Sequence, residues 1–363
     1  MKFYMYAILC LLVMPIGILG NTYYQTKNNE PIIINRQGSF MVGGNISVHQ
    51  GKYDTKYPIK PDGQTRHSDH AYVFYQIPVD AQSFPIVFLH GAGQSSKTWE
   101  TTPDGREGFQ NMFLRKGFSV YLVDQPRRGK AARSSMDGSV PAEYDEQLWF
   151  EQFRLGIWPN FYKGVQFPKG EENLEMFFRQ MTPNIGNMDK QVAANAMTSL
   201  FEQTGKSILM THSQGGGIGW QAVMQSPDVC AVISLEPGSS FPFPEGEVPE
   251  PIKTNSPFGD LTAESVPVES FVALTKIPIA IYYGDNIPDE STGVWGQDGW
   301  TARLKMARLW ADCVNKYGGD VTVIHLPDVG IKGNTHFLMS DLNNKQVMCE
   351  ILKWMKIKKL TNY

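Results

Sequence analysis

One serine lies in a sequence context that could make it a nucleophile. The apolar run 208–210 leads directly into Thr211–Gly215, which reads Thr-His-Ser-Gln-Gly, and a helix-compatible segment, Ile218–Gln225, follows. A strand, a sharp turn and a helix in this order are typical of a nucleophile elbow, whose usual form is Gly-x-Ser-x-Gly. Thr211 replaces the first glycine, but it is still a compact residue. We therefore predict that the turn exposes the Ser213 hydroxyl above the strand, where it could attack a carbonyl carbon.

A serine nucleophile needs a base, and one histidine lies in a suitable place. The hydroxyl is a poor nucleophile at neutral pH unless it transfers its proton as it attacks. Of the seven histidines, His90 and His212 lie beside turns, three lie in the N-terminal region, and His325 lies within a predicted strand. His336 lies in a loop after that last strand, from which its side chain could reach over the sheet. His336 is therefore the predicted base.

The imidazole in turn needs a carboxylate, and two residues could supply it. A carboxylate on the far nitrogen fixes the tautomer and stabilises the cation. Glu236 ends the strand that follows the elbow unit, and Asp285 ends the strand after that. Both positions can reach His336 in a twisted parallel sheet. The residues alone slightly favour Asp285, which occupies the more usual place.

Acyl transfer also needs N–H donors for the carbonyl oxygen as it becomes an anion. Gln214 follows the serine at the start of the predicted helix, where negative charge is favoured. The buried strand 85–90 runs straight into the small-residue loop 91–93. We expect the main-chain N–H groups of Ala92 and Gln214 to form an oxyanion hole, although a plain strand-to-helix turn would also explain this loop.

Strand and helix patterns alternate along most of the chain. Two early segments, Ser39–Val48 and His70–Ile77, show the period-two alternation of antiparallel strands. Later apolar runs are continuous, as in parallel strands that are covered on both faces. They lie at 85–90, 118–124, 208–210, 229–235, 277–283 and 321–326, with predicted helices at 106–116, 189–204, 218–225, 299–317 and 337–356. The pattern predicts an α/β fold with a mostly parallel central sheet and helices on both faces.

The simple alternation stops between two of these strands. From about Ala131 to Gln203 the chain is rich in aromatic residues, methionine and proline. A segment of that length predicts a cap inserted over the strand ends, where ligands bind in open α/β sheets. For most of the aromatic side chains, however, we expect packing against one another rather than contact with a ligand.

Composition bounds the partners. With 363 residues and 42% hydrophobic content, the chain could form one large α/β domain with insertions. A net charge of −3 gives no basic surface for nucleic acid. The cysteine spacing fits no zinc site, and the predicted chemistry needs no metal or other cofactor. We expect a small-molecule ester as the substrate, and the sequence leaves a homodimer open.

The N-terminus has the pattern of a targeting signal. Residues 1–20 contain Lys2 and a long apolar run, which predicts a secretory signal peptide and an exported, periplasmic or secreted protein whose hydrolytic domain spans 21–363. No later stretch is apolar enough to cross a bilayer, so a membrane partner is not expected. Cys230 is expected to be inert in a buried strand. A disulfide between Cys313 and Cys349 is left open, because geometry decides it.

Several sequence blocks together resemble a family of exported bacterial α/β-hydrolase esterases. The similarity runs from about Gly38 to the C-terminus, and its blocks are His90–Gly93, Trp99–Arg106, Phe113–Gly117, Val123–Gln125, Arg128–Gly129, Thr211–Gly215 and Leu235–Gly238. In that family the elbow has this Thr-His-Ser-Gln-Gly form, and the acid is the glutamate of Glu-Pro-Gly. The resemblance implies that Glu236 is the acid and that Asp285 is a supporting carboxylate.

The chain departs from this family at one point. Ala92 and Gly93 follow His90-Gly91, where the family prototype has adjacent cysteines. Main-chain N–H groups survive that change, so the oxyanion hole is expected to persist while the pocket shape can differ.

Together these patterns predict a serine carboxylic-ester hydrolase. The expected chain order is Ser213, Glu236, His336, which is the order of the α/β-hydrolase fold. Two alternatives are a peptidase or amidase with the same triad and a non-catalytic binding protein on the same scaffold. A dehalogenase is disfavoured, because an aspartate would be expected in place of Ser213.

Overall fold

Eight strands form the central sheet, and seven of them run in the same direction. The computed structural model of the protein describes residues 30–140 and 142–362, so the predicted signal peptide at 1–20 lies outside the described residues. The strands of the described part are β1 (Ile34–Val48), β2 (Thr65–Pro78), β3 (Ile86–Leu89), β4 (Val120–Asp124), β5 (Gly156–Ile157), β6 (Asn160–Phe161), β7 (Ser207–His212), β8 (Val229–Leu235), β9 (Pro242–Pro244), β10 (Glu264–Val266), β11 (Pro278–Tyr283) and β12 (Asp320–His325).

Helices connect most of these strands. Within the described residues the α-helices are α1 (Phe109–Leu114), α2 (Glu146–Gln152), α3 (Glu171–Arg179), α4 (Lys190–Thr204), α5 (Gly215–Gln225), α6 (Val268–Phe271), α7 (Trp295–Lys316) and α8 (Asn344–Ile357). Short 3-10 helices occur at Ser96–Trp99, Gly129–Ala131, Val272–Lys276 and Leu326–Val329.

The strand order is β1-β2-β4-β3-β7-β8-β11-β12, and only β2 runs antiparallel to its neighbours. The central strands β3 and β7 are buried along their whole length, because helices cover the sheet. All four residues of β3 are apolar, whereas β7 also buries Ser207, Thr211 and His212. Helix α4 packs against helix α5 and against strands β1 and β2. Helix α1 packs against helix α8 and strand β4. The predicted mostly parallel α/β sheet is confirmed.

The predicted closing helix, 337–356, starts too early. Helix α8 begins at Asn344, and residues 337–343 belong to the loop that follows His336. The Arg106 guanidinium binds the main-chain oxygens of Ser340 (2.8 Å) and Asp341 (3.1 Å). Because Arg106 binds these carbonyls, we infer that they do not accept the hydrogen bonds of a regular α-helix, and residues 337–343 form a loop.

The segment between β4 and α4 contains α2, the β5–β6 hairpin and α3. Its aromatic side chains pack mainly against each other, as expected; Phe167 and Phe177 have ring centroids 5.4 Å apart, and Phe150 and Phe161 are 5.0 Å apart. The predicted cap ended near Gln203 and so included α4, which instead packs on the sheet with α5. The extent of a cap over the site stays a prediction.

The cysteines do not form the disulfide that the sequence left open. Cys313 has a free thiol, so it is not bridged to Cys349. The thiol of Cys230, in β8, is also free and half-buried. Burial raises the pKa of Cys230 to about 11, so this thiol stays protonated at neutral pH and is a weak nucleophile.

The described residues contain no helix long and apolar enough to cross a membrane. They also contain no group of three or more histidine, cysteine, aspartate or glutamate side chains placed to hold a metal ion.

Candidate active site

Ser213 lies at the sharp turn between β7 and α5. Its φ of +53° is in the left-handed region, which non-glycine residues rarely adopt and which is often found at functional sites. The turn is held by its main chain, since Ser213 N–H donates to the oxygen of Leu235 (3.0 Å) and its own oxygen accepts from Gly216 N–H (3.0 Å). The predicted strand, turn and helix therefore meet at this serine.

Tight packing explains the small residues around the turn. A Cβ on Gly91 would lie 2.6 Å from the Cβ of Ser213, so the loop after β3 can approach the serine only as glycine. Thr211 is accommodated in place of the usual glycine because Gly219 leaves room for its methyl group; a Cβ on Gly219 would lie 2.8 Å from that methyl carbon. The Thr211 hydroxyl also hydrogen-bonds the buried hydroxyl of Ser234 at 2.8 Å.

His336 is buried and held on several sides. The ring Nδ1 of His336 lies 3.0 Å from a carboxylate oxygen of Glu236, and its main-chain N–H donates to the main-chain oxygen of Phe153 at 3.0 Å. The imidazole stacks on the Phe153 ring at a centroid distance of 5.3 Å and lies 4.4 Å from the Trp300 ring. Because Nδ1 is engaged with Glu236, Nε2 is the nitrogen left for proton transfer.

The environment keeps this imidazole neutral. Burial, together with the charges of Arg154 and Arg303, lowers the pKa of His336 to about 4, despite the opposing effect of Glu236. The neighbouring His212 is also buried, which holds its pKa well below the usual value, and its Nε2 contacts the oxygen of His336 at 2.9 Å. A neutral His336 can accept a proton at neutral pH.

Glu236 is the carboxylate that contacts the imidazole. It has a φ of +53° at the end of β8 and is fully buried. Its Oε1 accepts from Arg154 Nη2 (2.6 Å) and from Gly284 N–H (2.5 Å), while Oε2 faces His336. Burial alone would raise the pKa of Glu236, but the charge of Arg154 and the bonds from His336 and Arg154 outweigh it and lower the pKa to about 2. Glu236 is therefore ionised.

Arg154 was not predicted from the sequence. It is fully buried and joins two strand ends, because one nitrogen donates to Glu236 and its Nε donates to the main-chain oxygen of Asp285 at 2.9 Å. Its guanidinium also lies 4.8 Å from the centre of the Trp300 ring. The available signal was an arginine between aromatic residues of the segment 131–203, but nothing in the sequence identifies its partner.

Asp285, the alternative acid, binds main-chain N–H groups with its carboxylate. Its Oδ2 accepts from Gly333 N–H at 2.6 Å, and Oδ1 accepts from Asn286 N–H at 2.7 Å. Gly333 lies in the loop that carries His336, so Asp285 supports that loop through its backbone. The residues alone slightly favoured Asp285, whereas the contact to the imidazole comes from Glu236.

The loop after β3 is oriented by two buried side chains. The oxygen of Gly91 accepts from Arg128 Nη1 at 2.7 Å and contacts His90 Nδ1 at 2.9 Å. His90 Nε2 accepts from Gln125 N–H at 3.2 Å, so Nδ1 is the protonated nitrogen that donates to Gly91. In a trans peptide the C=O and the following N–H point in opposite directions. The N–H of Ala92 therefore points away from Arg128 and His90.

Four of the predicted site residues line one cavity. It has a volume of about 190 Å³ and is lined by Ser213, His336, Ala92 and Gln214. Gln214 is the N-cap residue of α5, whose N-terminus favours negative charge. The remaining walls are mainly aromatic and comprise Trp149, Phe153, Phe258 and Trp300, with Gln152, Gly238, Ser239 and Arg303. The structure thus brings Ser213, the neutral imidazole of His336, and the two predicted oxyanion-hole residues Ala92 and Gln214 to one cavity with mainly aromatic walls.

Comparison with known proteins gives a consistent picture. A model of the alpha/beta hydrolase family matches residues 86–328, which contain Ser213 and Glu236 and end before His336. A probable secreted lipase, phiG, from Fungal sp. (strain ATCC 74256) is 26% identical over 318 residues, 78% of this chain and 85% of the lipase. A solved structure of a novel bacterial esterase is 30% identical, with a TM-score of 0.72, over 91% of this chain and 98% of that one.

Proposed function

The chain belongs to the alpha/beta hydrolase family as a hydrolase of the esterase and lipase type, and we propose that it hydrolyses carboxylic esters through an acyl-enzyme on Ser213. The observation that carries this proposal is the 3.0 Å contact between His336 and Glu236 beside a cavity that also contains Ser213. A serine, an imidazole and an ionised acid in this relation match the chemistry of acyl transfer.

In the proposed reaction the Ser213 oxygen attacks the ester carbonyl while His336 Nε2 takes its proton. Glu236 stabilises the imidazolium, and the N–H groups of Ala92 and Gln214 bind the oxyanion. The carbonyl re-forms as the alcohol leaves with the proton from His336, which gives the acyl-enzyme. Water then repeats the sequence, with His336 as base and then acid, and releases the carboxylic acid and free serine. This route uses no metal or cofactor.

Active-site labelling and substrate choice test this mechanism. We expect a fluorophosphonate probe to label Ser213 and a short p-nitrophenyl ester to be hydrolysed, and we expect Ser213→Ala to abolish labelling and lower kcat by about 10⁶-fold. Measured rates on the matching anilide separate an esterase from a peptidase or amidase. Comparable turnover of the anilide would favour the amidase, and an unlabelled Ser213 in folded protein would favour a non-catalytic binding protein.

We also propose that the protein is exported. The apolar run within residues 1–20 and the description of one relative as a secreted lipase support this proposal. Mass spectrometry of the protein recovered from its native host tests it, because export with cleavage would yield a mature chain beginning near Asn21. An intact N-terminus in a cytosolic fraction would contradict export.

A further inference from the structure

Arg303 is the charged side chain of the cavity wall. Among the described residues that line the cavity, it is the one with a permanent charge, since His336 is neutral and Glu236 lies behind the imidazole. The Cζ atoms of Arg154 and Arg303 lie 4.8 Å and 4.9 Å from the centre of the Trp300 ring. Of these two arginines, only Arg154 forms an ion pair with Glu236. The site therefore holds one positive charge more than its carboxylate balances.

The guanidinium of Arg303 is fixed in place by neutral groups. Its Nε donates to the oxygen of Gly238 at 2.8 Å, and its Nη1 donates to the oxygen of Gly299 at 2.6 Å. Its Cζ lies 4.9 Å from the centre of the Trp300 ring. Among the described residues no hydrogen-bond acceptor faces its Nη2, and no carboxylate forms an ion pair with it. A rigid guanidinium with unused donors suits an anionic ligand group, carboxylate above all.

This guanidinium lies close to the reacting centre. A Cβ built on Gly238 would lie 3.8 Å from Ser213 Oγ and 3.8 Å from Arg303 Nε, so the serine and the arginine flank the same small space. Gly238 keeps that space open because it has no side chain. A substrate carbonyl at Ser213 could therefore place a nearby substituent against Arg303.

We propose, on the basis of the ester hydrolysis proposed above, that the natural substrates carry a carboxylate a few bonds from the reacting carbonyl and that Arg303 binds it. The substrate class is a half-ester of a short dicarboxylic acid or a similarly charged ester. The aromatic walls pack against the carbon chain between the two ends, and Arg303 selects for the negative charge.

Two methyl esters of matched shape test this specificity. Monomethyl succinate carries the carboxylate, and methyl isocaproate replaces it with an uncharged isopropyl end. We expect the wild-type kcat/KM at about pH 8, where His336 is neutral, to favour the succinate ester by about 10- to 100-fold, the range of a hydrogen-bonded charge pair. Succinate monoamide should also inhibit hydrolysis of the neutral ester more strongly than isocaproamide does.

Variants separate recognition from a structural role. Arg303→Gln should lower the ratio of the two kcat/KM values to about 1, Arg303→Lys should restore part of it, and Arg308→Gln, on the exposed side of the same helix, should leave it unchanged. A wild-type enzyme that hydrolyses both esters equally, or an Arg303→Gln enzyme that loses both in equal proportion, would overturn the carboxylate proposal. If neither ester is hydrolysed and the fluorophosphonate leaves Ser213 unlabelled, the esterase function itself is wrong.

Discussion

The loop after β3, the proposed oxyanion side of the site, and Glu236, the proposed acid, are each contacted by one buried arginine, but the two arginines bind different acceptors. Arg128 donates to the neutral main-chain oxygen of Gly91 and to the side-chain oxygen of Asn184. Arg154 donates to the carboxylate of Glu236. A bond to a neutral carbonyl orients a peptide, whereas an ion pair also sets the pKa values of the groups beside it. Arg128 therefore positions the loop after β3, whereas Arg154 both positions Glu236 and lowers the pKa values of Glu236 and His336.

Both arginines are charged and buried, but they affect the pKa of His336 differently. Burial lowers the pKa of Arg128 to about 10, with partial compensation from Asp124, so this guanidinium remains charged at neutral pH. Arg154 lowers the pKa of both Glu236 and His336. The charge of Arg128 lowers the pKa of His90 but is not among the causes that lower the pKa of His336. Removal of Arg128 should therefore leave the pKa of His336 in place, whereas removal of Arg154 should change both the geometry and the pH profile.

The largest effect is expected on the acid side, from the carboxylate itself. Glu236→Gln should lower kcat by about 10⁴-fold, because the amide no longer fixes the tautomer or stabilises the imidazolium. Steady-state kinetics on a p-nitrophenyl ester, with circular dichroism as a check of folding, measures this loss. Asp285→Asn is the matched control, and it should cost far less because it touches His336 only through the loop at Gly333. Loss of turnover in the Asp285 variant alone would make the acid assignment wrong.

Arg154→Met is expected to have the next largest effect. It leaves a buried carboxylate without its cation, which should lower the free energy of unfolding by about 3–5 kcal/mol. Displacement of Glu236 and His336 should lower kcat by about 10²-fold. Because Arg154 lowers the pKa of His336, its removal raises that pKa, and the acid limb of kcat/KM should move to higher pH. Denaturant unfolding and a pH–rate profile measure these effects, and an acid limb that stays in place would contradict the assigned tuning.

Arg128→Met should have the smallest effect and a different signature. His90 still donates to Gly91, so the oxyanion peptide should be loosened rather than lost, and kcat should fall by about 10-fold. The acid limb should stay at the wild-type pH, since the cations that depress the pKa of His336 are Arg154 and Arg303. Arg133→Met, at an exposed position in the same segment, is the control and should leave kcat near the wild-type value. A shifted acid limb in Arg128→Met would end the distinction between the two arginines.

The elements that carry these groups could be predicted because their signals are local. The strand β8 was predicted with the observed bounds, and β7, β11 and β12 differ from their predicted bounds by a few residues at most. A buried strand needs a continuous apolar run, and that requirement is written within a few residues. The start of α8 was missed because it depends on contacts from Arg106, more than two hundred positions away along the chain.

By itself, the sequence determined which chemical groups follow neighbouring strands: a serine directly after β7, a glutamate directly after β8, an aspartate just after β11 and a histidine in the loop after β12. These groups were expected to lie close together, because the carboxyl ends of parallel strands lie at the same edge of a sheet. The residues alone left two carboxylates open, the resemblance implied Glu236, and the tertiary structure shows Glu236 against the imidazole. Only the tertiary structure decided where Arg128 and Arg154 donate and that Arg303 lines the cavity. Those choices depend on distances of a few ångströms between residues far apart in the chain, and no local pattern encodes such distances.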